Sequence, residues 1–252
     1  MSNNKRRPWL ADSNEPYHGQ DPFFYDPKDF PWVEKIESNW EVLKQELMNV
    51  VENHYDDMLP YPDLEKTDKN NAWHTLGLMY WTIRSKKNIN LFPKTWEIMK
   101  DIPFISSCSF HELAPYSTIK PHIGDTNAMV RCHIGIVIPE QAPRCGIRVG
   151  AETQCWQEGK ILMFNDAHEH TAWNNTDSNR YVLSFDVMNP DFENKKQWIA
   201  SQVLGKIFVE VLYQHNAWLR KLFSADWIKS ALFFVSKGIM RLYASFNAMQ
   251  RM

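Results

Sequence analysis

Between residues 104 and 188 the chain alternates short β-rich segments with Gly, Pro, Asn and Asp, and this pattern limits the folds open to it. Val, Ile, Phe and Tyr favour strands, and the residues between them favour turns. Many short strands spaced in this way predict an antiparallel sandwich or a jelly roll. The segments, in order, are FISSCSFHELAP, MVRCHIGIVIP, CGIRVG, KILMFN and RYVLSFDVM.

Helical patterns flank this β-rich region. From residue 32 to about residue 53 apolar side chains recur at helical spacing, and Pro93 predicts a short helix through Lys100. Residues 54–71 are polar and broken by proline, which predicts a loop. We therefore predict one domain, mainly β with flanking helices, in three parts: an N-terminal arm and helical layer over 1–103, a β core over 104–190 and a helical tail over 191–252.

Composition excludes several classes of protein. The 252 residues are 44% hydrophobic, enough for a sizeable core, and the net charge of −2 gives no reason to expect nucleic-acid binding. No secretory signal is expected, because the basic start is followed by no apolar run, and no stretch approaches the roughly 20 apolar residues of a membrane span. The four cysteines lack CxxC spacing, so we expect reduced thiols in a cytoplasmic protein.

The last part of the chain is apolar and basic. The segment WIKSALFFVSKGIMRLYASF carries Lys229, Lys237 and Arg241 among large apolar residues. Such a helix could lie on a membrane surface as a peripheral contact. It could equally cover the core or form a dimer contact, and the sequence leaves these alternatives open.

The histidines cluster in the β-rich region. Five of the nine lie between residues 111 and 170, and imidazole is the commonest protein ligand for metals such as iron(II). His122 follows Pro121 at a strand edge, and His170 follows the strand KILMFN, 48 residues later. A jelly roll can bring such distant strands together around one mouth. A metal pair is therefore one interpretation, and hydrogen-bonded or surface histidines are the other.

Two arginines accompany these histidines. In VRCHIGIVIP, strand alternation puts Arg131 and His133 on one face, and Arg180 opens the strand RYVLSFDV ten residues after His170. Because arginine matches a carboxylate bidentately, two arginines near a metal would suit a dicarboxylate. The alternative is that both form ion pairs at the rim.

The blocks PHIGDTNAMVRCHIGIVIP and WQEGKILMFNDAHEHTAWNNTDSNRYVLSFDVMNP resemble the aspartyl/asparaginyl β-hydroxylase family over about residues 93–190. The resemblance implies a double-stranded β-helix, cupin-like, that uses Fe(II), 2-oxoglutarate and O₂. It implies that His122 and His170 are the metal ligands and that Arg131 and His133 contact 2-oxoglutarate. Arg180 would form the salt bridge with the far carboxylate of 2-oxoglutarate. Trp156 matches a position that we interpret as structural.

Three positions depart from the commonest pattern of such oxygenases. Most carry a carboxylate two residues after the first histidine, where this chain has Gly124; the resembled family shares the absence, with water in the carboxylate's place. Asp125 follows, and we interpret it as a solvated turn residue. A family serine that contacts 2-oxoglutarate falls at His111, with Ser109 on the same face, so either could serve. His168 lies two residues before His170, but the spacing to Arg180 favours His170.

The resemblance implies a hydroxylase that decarboxylates 2-oxoglutarate to succinate. Its expected substrate is an aspartyl or asparaginyl side chain of a peptide, a protein or an amino acid. The sequence also allows a hydroxylase of a lipid acyl chain at the membrane surface. Two further alternatives are a non-catalytic jelly-roll binding module and another metal activity, such as an isomerase, on the same shell.

Overall fold

The computed structural model describes residues 7–11, 16–215 and 238, and all structural statements concern these residues. The α-helices are α1 Val33–Glu37, α2 Trp40–Asn53, α3 Lys86–Ile89, α4 Pro93–Met99 and α5 Lys196–His215. The strands are β1 Phe24–Tyr25, β2 Leu59–Pro60, β3 Trp73–Tyr80, β4 Ile83–Arg84, β5 Ile105–Leu113, β6 Ser117–His122, β7 Met129–Val137, β8 Cys145–Val149, β9 Glu152–Gln154, β10 Ile161–Phe164, β11 His170–Asn174 and β12 Arg180–Met188.

Within the described chain these strands form two antiparallel sheets. The major sheet has the order β1-β10-β7-β12-β5-β3-β2, with β4 paired to β3, and the minor sheet has the order β6-β11-β8-β9. A buried cluster joins the sheets, with Leu113 and Val182 from the major sheet and Ile147 and Ala172 from the minor one. The fold is therefore the double-stranded β-helix, or jelly roll, that the sequence predicts, mainly β with flanking helices.

A helical layer covers the outer face of the major sheet. Leu43 and Leu47 of α2 share one apolar core with Trp96 of α4 and with Cys132 and Phe185 of the sheet. Cys132 thus points to the outer core, and its neighbours in β7 point between the sheets, as strand alternation predicts. The predicted helix at Pro93 is confirmed as α4.

The prediction of a single helix from residue 32 to about residue 53 is wrong in one respect, because the helix is interrupted between α1 and α2. At the break, Ser38 Oγ and Asn39 Nδ2 both donate to the carbonyl oxygen of Lys35, at 3.2 and 2.8 Å. Side chains of Ser and Asn compete in this way with the backbone bonds of a helix. The apolar period continues across the break, which is why the sequence pattern does not reveal it.

The sheet also extends into the segment predicted as arm and helical layer. Strand β3 pairs with β5 over most of its length, and Phe24 and Tyr25 of the arm pair with Phe164 and Met163. This part of the N-terminal segment therefore adds an edge strand to the sheet.

At the far end of the sheet, α5 closes a third apolar cluster. Ile199 and Val203 of α5 pack with Met129 and Met188, the ends of two neighbouring strands. The membrane-surface alternative concerns residues beyond α5, and these lie outside the described part of the chain apart from residue 238. Among the described residues no helix is both long and apolar enough to cross a bilayer.

Candidate active site

Two histidines from neighbouring strands of the minor sheet meet at its inner face. His170 of β11 is the register partner of His122 at the end of β6. Their ring centroids are 4.2 Å apart. The pairing of β6 with β11 therefore brings together two histidines that are 48 residues apart in sequence.

Backbone carbonyls orient both rings in the same way. His122 Nδ1 lies 2.8 Å from the carbonyl oxygen of Lys120, and His170 Nδ1 lies 3.0 Å from that of His168. A carbonyl oxygen only accepts, so each Nδ1 carries the proton and each Nε2 keeps its lone pair. Burial lowers the pKa of His122 to about 4 and that of His170 well below its ordinary value, so both rings are neutral at pH 7. Neutral, oriented imidazoles are what a metal ion binds.

The carboxylate next to Gly124 comes from the turn after β10, whereas the sequence pattern directs attention to the residues that follow His122. A Cβ added to Gly124 would stand 2.3 Å from Asp166 Oδ2 and 2.4 Å from its Cγ. The Gly124 amide also donates to the Asp166 carbonyl oxygen at 2.6 Å. Any side chain at position 124 would therefore collide with the Asp166 carboxylate, which fills the space that the missing carboxylate residue would enter.

Arg131 is held by two carboxylates. Its Nε and Nη2 donate to Asp186 at 2.8 and 3.1 Å, and its Nη1 lies 2.9 Å from Asp166 Oδ2. Burial alone would lower the pKa of Arg131, but Asp166 and Asp186 raise it well above the ordinary value. Burial raises the pKa of Asp166 to about 7 despite the neighbouring guanidinium. For Arg131 the structure thus has the ion-pair arrangement, and a contact with 2-oxoglutarate stays a prediction.

Arg180 has the opposite environment. It is 2% exposed, has no carboxylate within ion-pair distance among the described residues, and its Nε has no hydrogen-bond partner there. Its guanidinium lies 4.6 Å from the ring centroid of Trp156. Burial lowers its pKa to about 10, so it remains charged at pH 7. An unpaired buried cation is costly, which indicates that an anion completes this pocket.

Trp156 connects Arg180 to the histidine of the same pocket. Besides contacting the guanidinium, its Nε1 donates to His133 Nδ1 at 3.2 Å. His133 therefore carries its proton on Nε2, and burial lowers its pKa well below the ordinary value. Phe164 stands between the two halves of the site, 5.0 Å from His133 and 5.7 Å from His170 by ring centroids.

Ser109 and His111 lie on the same inner face and bind each other. Trp73 Nε1 donates to His111 Nδ1 at 3.0 Å, so the proton of this neutral ring is on Nε2. That nitrogen lies 2.7 Å from Ser109 Oγ and donates to it, which leaves the serine hydroxyl hydrogen free to donate elsewhere. Burial, and then the charges of Arg180 and Arg131, lower the pKa of His111 to about 3.

Sequence comparison identifies a family for the region that contains these residues. Residues 37–190 match the sequence profile of the family described as aspartyl/asparaginyl beta-hydroxylase. The chain belongs to this family. The matched range contains every site residue described above.

Individual proteins similar to this chain differ in how much of it they match. An ornithine lipid ester-linked acyl 2-hydroxylase of Rhizobium tropici is 31% identical over 213 residues, covering 81% of this chain and 75% of that protein. The aspartyl/asparaginyl beta-hydroxylase of Homo sapiens is 30% identical over 164 residues, covering 63% of this chain and 21% of that protein. Among solved structures, a prolyl-4-hydroxylase of Pseudomonas putida aligns with a TM-score of 0.43 at 9% identity, covering 63% of this chain and all of that one.

Two further predicted positions lie outside the histidine pair, and one carboxylate of the site was not predicted. Asp125 lies 3.7 Å from Lys206 of α5, as a turn residue with an ion-pair partner. His168 Nε2 contacts the carbonyl oxygen of Asp21, and its ring packs against Tyr17 and Phe23 of the arm. Asp166 was missed by the sequence reasoning. The one sequence feature that could have pointed to Asp166 is Gly124, because a glycine in place of the usual carboxylate residue leaves space for another side chain.

Proposed function

We propose that this protein is an Fe(II)- and 2-oxoglutarate-dependent hydroxylase. The observation that carries the proposal is the convergence of His122 and His170 beside a buried Arg180 that has no acidic partner. The family membership supports the hydroxylase activity, and the donor set supports the dependence on iron and 2-oxoglutarate. The same two features argue against a bare jelly-roll binding module, which needs no oriented histidine pair.

The residues present fit iron(II). His122 and His170 are neutral and turned so that each offers Nε2, and the Asp166 carboxylate lies against Gly124, two residues after His122. Groups of three or more possible metal ligands are absent from the described residues, so two histidines are the protein ligands that we propose. This leaves several coordination positions for a chelating cosubstrate and for O₂.

The pocket also fits a dicarboxylate. The unpaired Arg180 guanidinium would bind the far carboxylate of 2-oxoglutarate, and the Ser109 hydroxyl and the His133 Nε2–H would donate to its oxygens. We assign His111 the role of fixing Ser109 rather than of binding the cosubstrate. Arg131 would act mainly by holding Asp166 and Asp186 in place.

Bound iron and 2-oxoglutarate, with O₂, would supply the oxidation that inserts oxygen into a C–H bond while 2-oxoglutarate is decarboxylated to succinate. The chain itself binds, orients and excludes water. Phe164 and Trp156 are both buried and line the space between the metal pair and the arginine pocket. No side-chain nucleophile or general base is required.

For the substrate we favour the acyl chain of a lipid. The match to the Rhizobium tropici lipid hydroxylase extends over 81% of this chain, whereas the match to the human aspartyl/asparaginyl hydroxylase extends over 63%. An aspartyl or asparaginyl side chain is the second candidate, because it is the substrate in the name of the family whose profile the chain matches.

One experiment tests both levels of the proposal. Purified protein is incubated with iron(II), 2-oxoglutarate and O₂, alone and with lipid extracts, peptides or free amino acids. We expect iron-dependent succinate release and one added oxygen, found by mass spectrometry, in the lipid fraction. Absence of succinate in every mixture would refute the activity, and oxygen added to a peptide instead would move the substrate to the second candidate.

A further inference from the structure

A short 3-10 turn, Leu64–Lys66, lies beside the strand that ends at His122. Lys120 of this strand donates from Nζ to the Glu65 carbonyl oxygen at 2.9 Å. Just beyond the turn, Thr67 forms a β-bridge with Ile119. These contacts fix the turn along β6, at the mouth of the metal-binding pair.

The ammonium group of Lys66 is held over an aromatic stack. Its Nζ lies 5.8 Å from the ring centroid of Tyr61, which stacks on Trp73 at 3.6 Å with the ring planes 3° apart. The group is near enough to the metal pair to influence it, since its charge is the second cause, after burial, of the lowered pKa of His122.

Lys66 has no ion-pair partner within the part of the chain that the structure describes. The three carboxylates in its neighbourhood are engaged elsewhere. Asp63 accepts from the backbone amide of Glu65 at 3.2 Å, Asp125 pairs with Lys206, and Asp166 pairs with Arg131. Lys66 is therefore a half-buried cation without an ion pair among the described residues; burial lowers its pKa, and the charges of the three carboxylates offset this only in part.

Two large apolar side chains near this site are exposed to solvent. Leu64, on the same turn as Lys66, is 50% exposed, and Ile123, next to His122, is 43% exposed. Isolated exposed apolar residues are normal. Here, however, one lies two residues from a cation without an ion pair and the other directly follows His122, a combination that suits an anionic molecule with an apolar chain.

We propose that Lys66 binds the phosphate of an anionic acyl lipid whose chain passes Leu64 and Ile123 toward His122 and His170. This inference rests on the proposed function for the meaning of the site, and it adds a residue that determines which substrates are bound. A phosphate is an acceptor for the three donors of an ammonium, and the bond is charge-assisted. The aromatic stack below limits the positions that the ammonium can take.

The test measures binding rather than turnover. A short-chain phosphatidic acid, used below its micelle concentration, is titrated calorimetrically into the full-length protein loaded anaerobically with iron(II) and 2-oxoglutarate. The variants are Lys66→Gln, Lys66→Arg and, as a matched control, Lys69→Gln. Lys69 lies in the adjoining loop, and its Nζ is likewise placed over a ring, 6.0 Å from the centroid of Tyr116.

We expect Lys66→Gln to weaken binding about tenfold or more, because a charged hydrogen bond to the phosphate is lost. Lys66→Arg should retain most of the affinity, Lys69→Gln all of it, and higher salt should weaken binding of the wild type. A short-chain diacylglycerol, which lacks the phosphate, should bind equally weakly to the wild type and to Lys66→Gln.

Three results would overturn the inference: no binding by the wild type, equal affinity in Lys66→Gln, or a Lys66-dependent preference for an aspartyl peptide over the lipid. Circular dichroism of each variant excludes loss of the fold as the cause. Succinate release by the same wild-type preparation tests the proposed function separately. Lipid binding without succinate would refute the activity while leaving the role of Lys66 intact.

Discussion

Two arginines of the major sheet lie on the same inner face, yet their surroundings are opposite. Arg131 is bound by Asp166 and Asp186, so its charge is neutralised within the protein. Arg180 is more deeply buried and has only the face of Trp156 beneath it among the described residues. Removing Arg131 should therefore damage the folded protein, whereas removing Arg180 should damage the binding of an external anion.

The difference also separates the two ends of the candidate active site. Near His122 and His170, the proposed metal ligands, the Arg131 network holds the Asp166 carboxylate against Gly124. At the other end, the site is built of donors without acceptors, namely Arg180, His133 and Ser109. An acidic partner for Arg180 would raise the stability of the folded protein, since an unpaired buried charge costs several kcal/mol. The missing partner therefore favours a role in binding an external anion.

The largest effect is expected from His122 and His170, at the first of these two ends. We expect His170→Ala and His122→Ala each to abolish iron-dependent succinate production, because one imidazole alone offers too few protein ligands. Iron binding, measured by equilibrium dialysis, should fall in parallel. His54→Ala, an exposed histidine at the end of α2, serves as the control and should retain full activity. Wild-type turnover in either site variant would defeat the metal assignment.

Replacing Arg131 should lower the free energy of unfolding more than replacing Arg180. In Arg131→Met, Asp166 and Asp186 would be left in the interior without their cation, and breaking such a network costs about 3–5 kcal/mol. Urea unfolding of the metal-free protein measures this loss. The double variant with Asp186→Asn should recover part of it. An unchanged unfolding free energy would mean that the network does not hold the strands together.

Replacing Arg180 should have the reverse outcome. We expect Arg180→Met to raise the KM for 2-oxoglutarate by about 10- to 100-fold, because a charged hydrogen-bonded pair with the cosubstrate is worth about 1.5–3 kcal/mol. The metal-free protein should be as stable as the wild type or more so, since an unpaired buried charge is removed. An unchanged KM would show that another residue holds that carboxylate.

Acid should weaken the metal-free protein through its buried histidines. The pKa of His111 is about 3 in the folded protein, and about 6.5 is the reference for an unfolded chain. Protons therefore bind the unfolded chain first, so this contribution to stability is complete above pH 6.5 and is lost as the pH falls toward 3.

The loss of stability in acid also distinguishes the two arginines, because Arg180 contributes more than Arg131 to the lowered pKa of His111. Between pH 6.5 and 5 we expect His111 to contribute roughly 1–2 kcal/mol of it, measured by urea unfolding at the two pH values. The dependence should be shallower in His111→Asn, and in Arg180→Met the loss should level off at a higher pH, because the Arg180 charge is the second cause of the lowered pKa. Parallel curves for wild type and His111→Asn would contradict this.

The smallest effect is expected at Trp156. Trp156→Phe keeps a ring beneath Arg180 but removes the indole N–H that fixes the His133 ring. A neutral hydrogen bond is worth about 1 kcal/mol, so we expect the dissociation constant of 2-oxoglutarate to rise about fivefold. Calorimetric titration of the iron-loaded protein under anaerobic conditions measures it, and a change as large as that of Arg180→Met would assign the tryptophan a greater role.

The sequence predicted the jelly roll because alternation and turn residues are local signals. It also placed His133 and Arg180 in strands of clear period and His122 at a strand edge, where the structure has them. It did not predict the break at Ser38, because side-chain competition there leaves the apolar period unchanged. It also did not assign Trp73–Tyr80 to the sheet, because the strand that pairs with this segment, β5, lies further along the chain.

The charge partners were beyond the reach of the sequence. Which of two arginines is neutralised depends on how β7, β10 and β12 pair, and both arginines look alike in the linear chain. Asp166 escaped for the same reason, because it enters the site from the turn after β10 while the pattern directs attention to the residues after His122. Trp156, interpreted as structural, contacts both Arg180 and His133.

The central claim is that the histidine pair and Arg180 together bind an iron–2-oxoglutarate chelate. Anaerobic titration of the metal-free protein with iron(II) and then 2-oxoglutarate tests it most directly, through the visible charge-transfer absorption of that chelate. We predict that the band develops in the wild type, is absent in His170→Ala and requires much more 2-oxoglutarate in Arg180→Met. A wild type without the band, or a band that is the same in all three proteins, would contradict the account.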